Sequence, residues 1–458
     1  MKTINPKIFK AYDIRGLYPE EINSETAYNI GRALVTFTKA KKIAVGRDMR
    51  VSSPEMEEAL LRGITDQGAD VVKIGLASTP MTYFSSWKLE VDVAVIITAS
   101  HNPAQYNGMK FCWKGAVPIG EGSGMEEIKE LAVKGEFIDA ENKGKVSENF
   151  EIGNQYIDYV AGFFNKDWKK SAQGGSALGG KKIVVDFGNG MGAVEKGVFE
   201  KFPENLEVDY LFEELDGNFP NHEANPLKVE TLEVLQKTVL EKNADLGISY
   251  DGDADRVGFV DEKGEAVPMD YLIALLAKEV LKKNPGGLVL MDLRSSNAVK
   301  EVIEEAGGKV NRCRVGHSLI KKQMRAEGAI FAGELSGHYF FESNSKAEMA
   351  TLAVLMLLNL MNETGQKMSE LVHDLKRYFH SGEINSEVES KEAVMEKLRE
   401  KYSNGKLDTL DGIRIDFPDW WFSVRASNTE PVLRLNLEAK TKEMMEEKRE
   451  EVLGMIRK

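Results

Sequence analysis

Leu246-Gly-Ile-Ser-Tyr-Asp-Gly-Asp-Ala-Asp-Arg256 decides how the chain is read. Its first five residues form an apolar run of strand length. The next six set Asp251, Asp253 and Asp255 on alternate positions between small residues, ahead of Arg256. A short apolar run closed by a polar turn reads as a buried strand. Three carboxylates in five residues repel one another unless a cation neutralises them, and Mg²⁺ prefers such oxygen ligands. A solvated acidic turn is the plainer reading. An EF-hand is excluded even though Glu262 stands at the twelfth position: Arg256 fills the slot that needs glycine, and the flanks are strand-like. Arg256 and the preceding strand favour a metal loop.

The same order recurs on both sides. Val93-Ala-Val-Ile-Ile-Thr98 runs into Ser100-His-Asn-Pro103, and Ala329-Ile-Phe-Ala332 runs into Gly333-Glu-Leu-Ser-Gly-His338. Each of the three strands is the third of a set. The first strands begin at Lys42-Ile-Ala-Val-Gly-Arg-Asp48, Lys182-Ile-Val-Val-Asp-Phe-Gly188 and Leu288-Val-Leu-Met-Asp-Leu-Arg294. The second are Ala69–Ile74, Val208–Phe212 and Gly308–Arg312. Ser53, ahead of Pro54, and Asn297 are read as helix caps after two of the first strands. This predicts three copies of one α/β unit, too long and too few for a solenoid. Ligands of open α/β sheets gather beyond the carboxyl ends of strands, so three unusual loops there imply one shared cleft. Beyond about residue 365 the pattern changes to charged helices (391–401 and 440–458) around short strands at Ile413–Phe417 and Trp421–Val424, a small α+β unit. Seams are expected near Glu141–Phe150, Asp255–Gly264 and Thr364–Lys367, and Ser171–Gly180 reads as a surface loop.

The other loops offer weaker signals one by one. Ser100 sits at a strand end, where a hydroxyl can be presented, and Asn102-Pro103 is a turn signal. A nucleophilic serine needs a base or a metal. His101 is adjacent, but neighbours in sequence rarely aim at one another, so a Ser100–His101 dyad is not expected. Glu334, Ser336 and His338 suit hydrogen bonding to hydroxyls. Arg425-Ala-Ser-Asn-Thr-Glu-Pro431 has the guanidinium, hydroxyls and backbone N–H groups of a phosphate cradle. His222, His373 and His380 carry little weight, whereas His317 is followed by Lys321 and Arg325 at helical spacing. Trp420 and Trp421 are read as packing for the last unit.

Composition bounds the rest. The chain has 458 residues, with 60 Lys+Arg against 73 Asp+Glu, a net charge of −13 and a pI near 5.3. That length suits about three or four domains. The acidic balance argues against broad nucleic-acid or anionic-membrane surfaces. An anionic substrate would need a locally basic cleft. Cys112 and Cys313 make no disulfide framework, which points to a reducing cytosol. The apolar stretches Tyr271–Leu281 and Met349–Met361 fall short of the roughly 20 residues that span a bilayer and read as buried helices. No secretory signal is read at the N-terminus.

Together these loops resemble the α-D-phosphohexomutase superfamily, most closely its phosphomannomutase/phosphoglucomutase branch. Thr98-Ala-Ser100-His-Asn-Pro is similar to the phosphoserine loop and Asp251–Arg256 to the Mg²⁺ loop. Gly333–His338 is similar to the sugar-specificity loop and Arg425–Pro431 to the phosphate-binding loop; Tyr12-Asp-Ile-Arg15-Gly and Val315-Gly-His317-Ser also match. The resemblance implies three related mixed α/β/α sandwich domains (1–150, 151–256, 257–365) and a C-terminal α+β lid (366–458) around a central cleft. It implies reversible phosphoryl transfer between C1 and C6 of mannose and glucose phosphates, through a phosphoserine enzyme and a hexose 1,6-bisphosphate. Ser100, His101, Lys110, Arg256 and His338 would be catalytic. Ser100, Asp251, Asp253 and Asp255 would hold Mg²⁺. Tyr12, Arg15, Arg294, His317, Glu334, Ser336, His338, Arg425, Ser427, Asn428 and Thr429 would bind substrate. Lys110, His101, His317 and His338 are the candidates for general base. The expected partners are small hexose phosphates, with neither nucleic acid nor membrane, for a cytoplasmic monomer. Two departures stand out: Ser343–Glu348 replaces a paired-Asp stretch of many relatives, and Arg294 stands where some have lysine. Phosphoglucosamine mutation, an aspartyl phosphotransferase using Asp251 and Asp253, and a non-catalytic sugar-phosphate binding protein are the alternatives.

Overall fold

The computed structural model describes residues 4–165, 181–203, 206–426 and 432–457. The Ser171–Gly180 loop and three of the expected phosphate ligands, Ser427, Asn428 and Thr429, lie outside these residues.

The threefold recurrence read in the sequence is a repeat of sheet topology. In each of the first three sheets one strand lies between two parallel neighbours. Lys42–Arg47 is flanked by Asp70–Leu76 and Val93–Ile97. Lys181–Asp186 is flanked by Leu206–Leu211 and Leu246–Tyr250. Leu288–Asp292 is flanked by Lys309–Cys313 and Phe331–Gly333. In each case the third strand then turns back through its polar loop into an antiparallel partner: Tyr106–Trp113, Val257–Asp261 and Tyr339–Phe341. The serine, aspartate and glutamate loops are therefore the same hairpin turn in three sheets. The boundary expected after residue 256 falls inside the second turn, and that sheet runs on to Asp261. The fourth sheet differs, with every described pairing antiparallel around Val432–Ala439.

Parallel strands covered on both faces need continuous apolar runs, and Val93–Ile97 and Leu246–Tyr250 are buried at every position. One buried cluster passes unbroken from Ala44 and Ile96 through Ile183 and Tyr250 to Val289 and Phe331, so the first three units share a core. The helices Met269–Lys283 and Ala350–Thr364 account for both long apolar stretches and are largely buried. No helix among the described residues is long and apolar enough to cross a membrane. The fourth unit has its own core around Leu398, Ile413, Phe422, Leu435 and Val452. Trp421 is fully buried outside that cluster, against the Arg414 guanidinium, and its Nε1 donates to Glu438 at 2.8 Å, while Trp420 stacks on Phe417.

Both cap assignments slip by one residue. Ser52 and Ser296 occupy the N-cap positions. Ser53 instead donates to Asp48 Oδ1 at 2.5 Å, and Asn297 accepts from Arg414 across to the fourth unit. Ser296 Oγ accepts the Ala298 N–H at 3.1 Å, whereas Ser52 makes no capping hydrogen bond with its side chain, so the hydroxyl cap expected at the first of these helices is not formed.

The joint between the first three units is polar at its centre. Glu195 is fully buried and accepts from Ser78 at 2.5 Å, from Tyr156 at 3.4 Å and from Thr351, which also meets Tyr250 at 2.9 Å. Burial raises the carboxyl from 4.5 to about 7, against the three hydroxyls that favour its charge. A raised folded-state pKa gives stability that is complete below about 4.5 and lost as pH rises through 7. Glu195→Gln removes that dependence. The stability advantage of the parent over the variant is expected to shrink by about 3 kcal/mol between pH 4.5 and 8. Paired urea unfolding curves measure it, and a constant gap would show that Glu195 titrates in the folded protein as it does in the unfolded chain.

Candidate active site

Ser100 is held in the left-handed region at φ 52° and is fully buried. Its N–H donates to Thr98 Oγ1 at 2.9 Å. This backbone turns Oγ out of the first sheet toward the second, where it donates to Asp251 Oδ2 at 3.0 Å. The two loops touch so closely that a Cβ on Gly252 would lie 2.4 Å from the Ser100 carbonyl oxygen, so only glycine fits there. Contrary to the sequence expectation, Ser100 Oγ also lies 3.2 Å from His101 Nδ1. Positive φ at Ser100 bends the chain enough for adjacent side chains to meet. Burial, with Arg256 and Arg15 nearby, holds His101 well below its ordinary pKa, so it is neutral at pH 7.

Behind the serine loop stands Arg50, which the sequence reading passed over. Its buried guanidinium donates to the carbonyls of Ser100, Asn102, Pro103 and Tyr106, and to Asp48. One side chain thus fixes four backbone carbonyls of the turn. Arg15 donates to Asn102 Oδ1 and pairs with Asp13 at 2.7 Å, at the edge of the same loop.

Asp251, Asp253 and Asp255 are all fully buried. Asp251 Oδ1 accepts the Arg256 N–H at 3.1 Å. Lys110, from the first sheet, donates to Asp253 Oδ2 at 2.7 Å and to Asp255 Oδ2 at 2.5 Å. Thr79, another residue unmarked in the sequence, donates its hydroxyl to Asp253 Oδ2 at 2.7 Å. Burial and the two neighbouring carboxylates push Asp251 well up. Asp255 lies well below its ordinary value: burial opposes its charge, but Lys110 and His338 outweigh it. Ligand oxygens of the three aspartates lie within 4.8 Å of one another, and Asp253 Oδ1 is buried with no hydrogen-bond partner. An all-oxygen donor set with a buried unsatisfied carboxylate oxygen fits a hard divalent cation.

Asp255 links this loop to the third sheet. His338 lies 3.1 Å from Asp255 Oδ1 through Nε2 and 2.8 Å from Glu334 Oε2 through Nδ1. Burial opposes a charge on His338, but the two carboxylates win and raise it to about 9. With both ring nitrogens committed as donors, the 3.3 Å approach of Arg256 Nε is proximity and not a hydrogen bond. Glu334 is held well below the usual carboxylate range: burial works against it, but His338, Ser336 and Arg294 prevail. Its Oε1 accepts the Gly316 N–H at 2.9 Å, beside His317. His317 packs edge-on to Tyr12, whose hydroxyl donates to Val315 O at 3.0 Å. Glu348, in the departing Ser343–Glu348 stretch, is fully buried, bonds Lys321 at 2.9 Å and lies 3.3 Å from His317 Nδ1. It is a further residue that the sequence reading missed.

On the other side of the cleft Arg294 is gripped by Asp292, at 3.0 Å through Nε and 2.6 Å through Nη2. Arg425, from the strand Trp420–Ala426, lies 3.5 Å from Asp411. Its guanidinium and that of Arg294 approach a common carboxylate, Glu383. The structure therefore joins Ser100, His101, Lys110, the three aspartates, Arg256, His338, Glu334, Ser336, His317 and Tyr12 in one contact network. Arg294 and Arg425 sit together at its fourth-unit side.

Known proteins match this arrangement segment by segment. Residues 6–139, 154–264 and 268–378 match the phosphoglucomutase/phosphomannomutase alpha/beta/alpha domains I, II and III, and residues 383–455 match the C-terminal domain of that family. A phosphomannomutase of Methanocaldococcus jannaschii is 40% identical over 453 residues, 98% of each chain. A phosphomannomutase of Escherichia coli K12 is 37% identical over 94% of each. The crystal structure of a phosphoglucomutase/phosphomannomutase family protein from Burkholderia thailandensis superimposes with a TM-score of 0.87 at 30% identity, covering 99% of this chain and 97% of that one. With all four segments in order and such identity from end to end, the chain belongs to the phosphoglucomutase/phosphomannomutase family, in the α-D-phosphohexomutase superfamily, and is a phosphohexomutase enzyme.

Proposed function

We propose that the enzyme interconverts the 1- and 6-phosphates of mannose, and also of glucose, through a phosphoserine at Ser100 and a hexose 1,6-bisphosphate. The observation that carries this reading is the 3.0 Å contact of Ser100 Oγ with Asp251, which joins a lone hydroxyl on one sheet to a cation-fitting loop on another. Relatives named phosphomannomutase support mannose as the sugar.

In this reading the phosphoryl group on Ser100 passes to a free hydroxyl of the hexose phosphate. The bond between phosphorus and Oγ breaks as the bond to the sugar oxygen forms. The bisphosphate turns over in the cleft, and its other phosphoryl group returns to Oγ. Asp251, Asp253 and Asp255 would hold Mg²⁺, which supplies charge neutralisation to the phosphoryl group in flight. Lys110 and Arg256 place further positive charge at the same point, where positioning and electrostatics supply most of the rate. Glu334 and Ser336 would hold sugar hydroxyls that look alike in either orientation. Arg294, Arg425, Tyr12 and His317 would receive the phosphate that is not transferring, together with Ser427, Asn428 and Thr429. His101 and His317, both held below their ordinary pKa by burial, are the side chains at hand for the hydroxyl proton, whereas Lys110 and the doubly donating His338 are already protonated. The partners in this reading are small hexose phosphates, for a cytoplasmic monomer.

A kinetic panel of mannose, glucose and glucosamine phosphates, run with Mg²⁺ and a trace of hexose 1,6-bisphosphate, tests the proposal. Mannose and glucose phosphates should turn over with the highest kcat/KM. A preference for glucosamine phosphate would overturn the sugar assignment, and binding without turnover would overturn the mechanism.

A further inference from the structure

Arg425 and Arg434 are direct cross-strand partners on Trp420–Ala426 and Val432–Ala439. Like charges opposite each other on neighbouring strands repel, so nearby anionic groups stabilise this pair. Arg294 reaches the same place from the third unit. Each of two guanidiniums has a carboxylate of its own: Asp292 at 2.6 Å for Arg294 and Asp411 at 3.5 Å for Arg425. Their other edges turn to one shared group. Glu383 lies 3.5 Å from Arg294 Nη1, 3.8 Å from Arg425 Nη2, 3.4 Å from Arg434 Nη1 and 3.5 Å from Asn436 Nδ2. Its side chain is 28% exposed, while those of Arg294 and Arg425 are only 12% and 11% exposed. Glu383 comes from the turn between Phe379–His380 and Ile384–Glu387, two short strands that both pair with Val432–Ala439 in the fourth sheet.

We propose that Glu383 is an internal stand-in for the substrate's non-transferring phosphate: its carboxylate fills the arginine cage of the free enzyme, and the incoming phosphate displaces it. A single carboxylate shared loosely among three guanidiniums is a weak occupant, since each pair is long and partly solvated. A phosphate carries more charge and more acceptor oxygens, so it can satisfy several arginine edges at once. Glu383 would thus keep the arginines gathered when the cleft is empty and lower phosphate affinity by competing for them, which also favours product release. The inference rests on the reading of Arg294 and Arg425 as phosphate ligands.

Glu383→Gln separates the two. Inorganic phosphate, titrated against the full-length protein by calorimetry, is expected to bind the variant about three- to tenfold more tightly than the parent. KM for hexose phosphate should fall in proportion. Glu387→Gln, an exposed change on the same segment with the same change of net charge, should leave both within twofold. Glu383→Ala should behave as Glu383→Gln, which guards against a fault of the amide alone. A purely structural Glu383 would weaken binding on removal or leave it unchanged, and either result overturns the proposal. If the parent protein binds no phosphate at all, the phosphate-cradle reading fails as well. Parent binding with no gain in the variants would sink the stand-in alone.

Discussion

Replacing Ser100 with alanine is expected to lower hexose-phosphate interconversion by about three orders of magnitude or more, as removal of a nucleophile does elsewhere. Binding and fold should survive. Ser100 Oγ makes two contacts, to Asp251 and His101, and both partners keep other surroundings: Asp251 still accepts the Arg256 N–H, and the loop is still clamped by Arg50. The backbone strain at φ 52° is the same for alanine as for serine. The stability change should therefore stay near the 1 kcal/mol of one lost hydrogen bond. The decisive readout is covalent. Parent enzyme incubated with labelled hexose 1,6-bisphosphate should carry label on the peptide containing Ser100, and the alanine variant should carry none. Label on Asp251 or Asp253, with turnover retained in the variant, would replace the serine mechanism with an aspartyl one.

What the sequence disclosed of this site follows the range of the interactions involved. The strand-then-loop pattern is local, so Leu246–Arg256, Val93–Pro103 and Ala329–His338 can be read without knowing where the chain goes next. The topology then brings the three loops to equivalent turns, and the expected shared cleft is the contact between them. The supports of the site are not local. Arg50 meets the carbonyl of Ser100, Thr79 meets Asp253 across 174 residues, and Glu195 gathers hydroxyls from three units. A lone arginine, threonine or glutamate carries no periodicity or spacing to mark it. The Ser100–His101 contact was misjudged for a different reason. The rule that neighbours point apart assumes ordinary backbone, and φ 52° breaks it. The boundary expected at residue 256 falls inside a hairpin because the motif ends at Arg256 while its sheet continues to Asp261.

Lys110→Met is expected to separate the structural charge of the cleft from its chemical charge. The Lys110 ammonium is 3% exposed and lies between two fully buried carboxylates, Asp253 and Asp255. Burial alone would lower its pKa, but the two aspartates raise it well above its ordinary value, so it is charged at every working pH. Methionine keeps the length and apolar stem of the side chain and removes the charge. Breaking a buried ion pair from one side leaves the partner uncompensated and costs about 3–5 kcal/mol. In chelator the variant should therefore melt well below the parent. A divalent cation bound by Asp251, Asp253 and Asp255 would supply the missing charge, so Mg²⁺ should raise the variant's melting temperature more than the parent's. Equal melting of the two proteins in chelator, or equal gains with Mg²⁺, would show that Lys110 does not neutralise this loop. Turnover should not follow stability. If Lys110 also steadies the transferring phosphoryl group, Mg²⁺ restores the fold of Lys110→Met but leaves kcat down by about two to three orders of magnitude. Recovery of kcat along with stability would confine Lys110 to neutralising the aspartates, and the charge on the phosphoryl group would then fall to Arg256 and the cation.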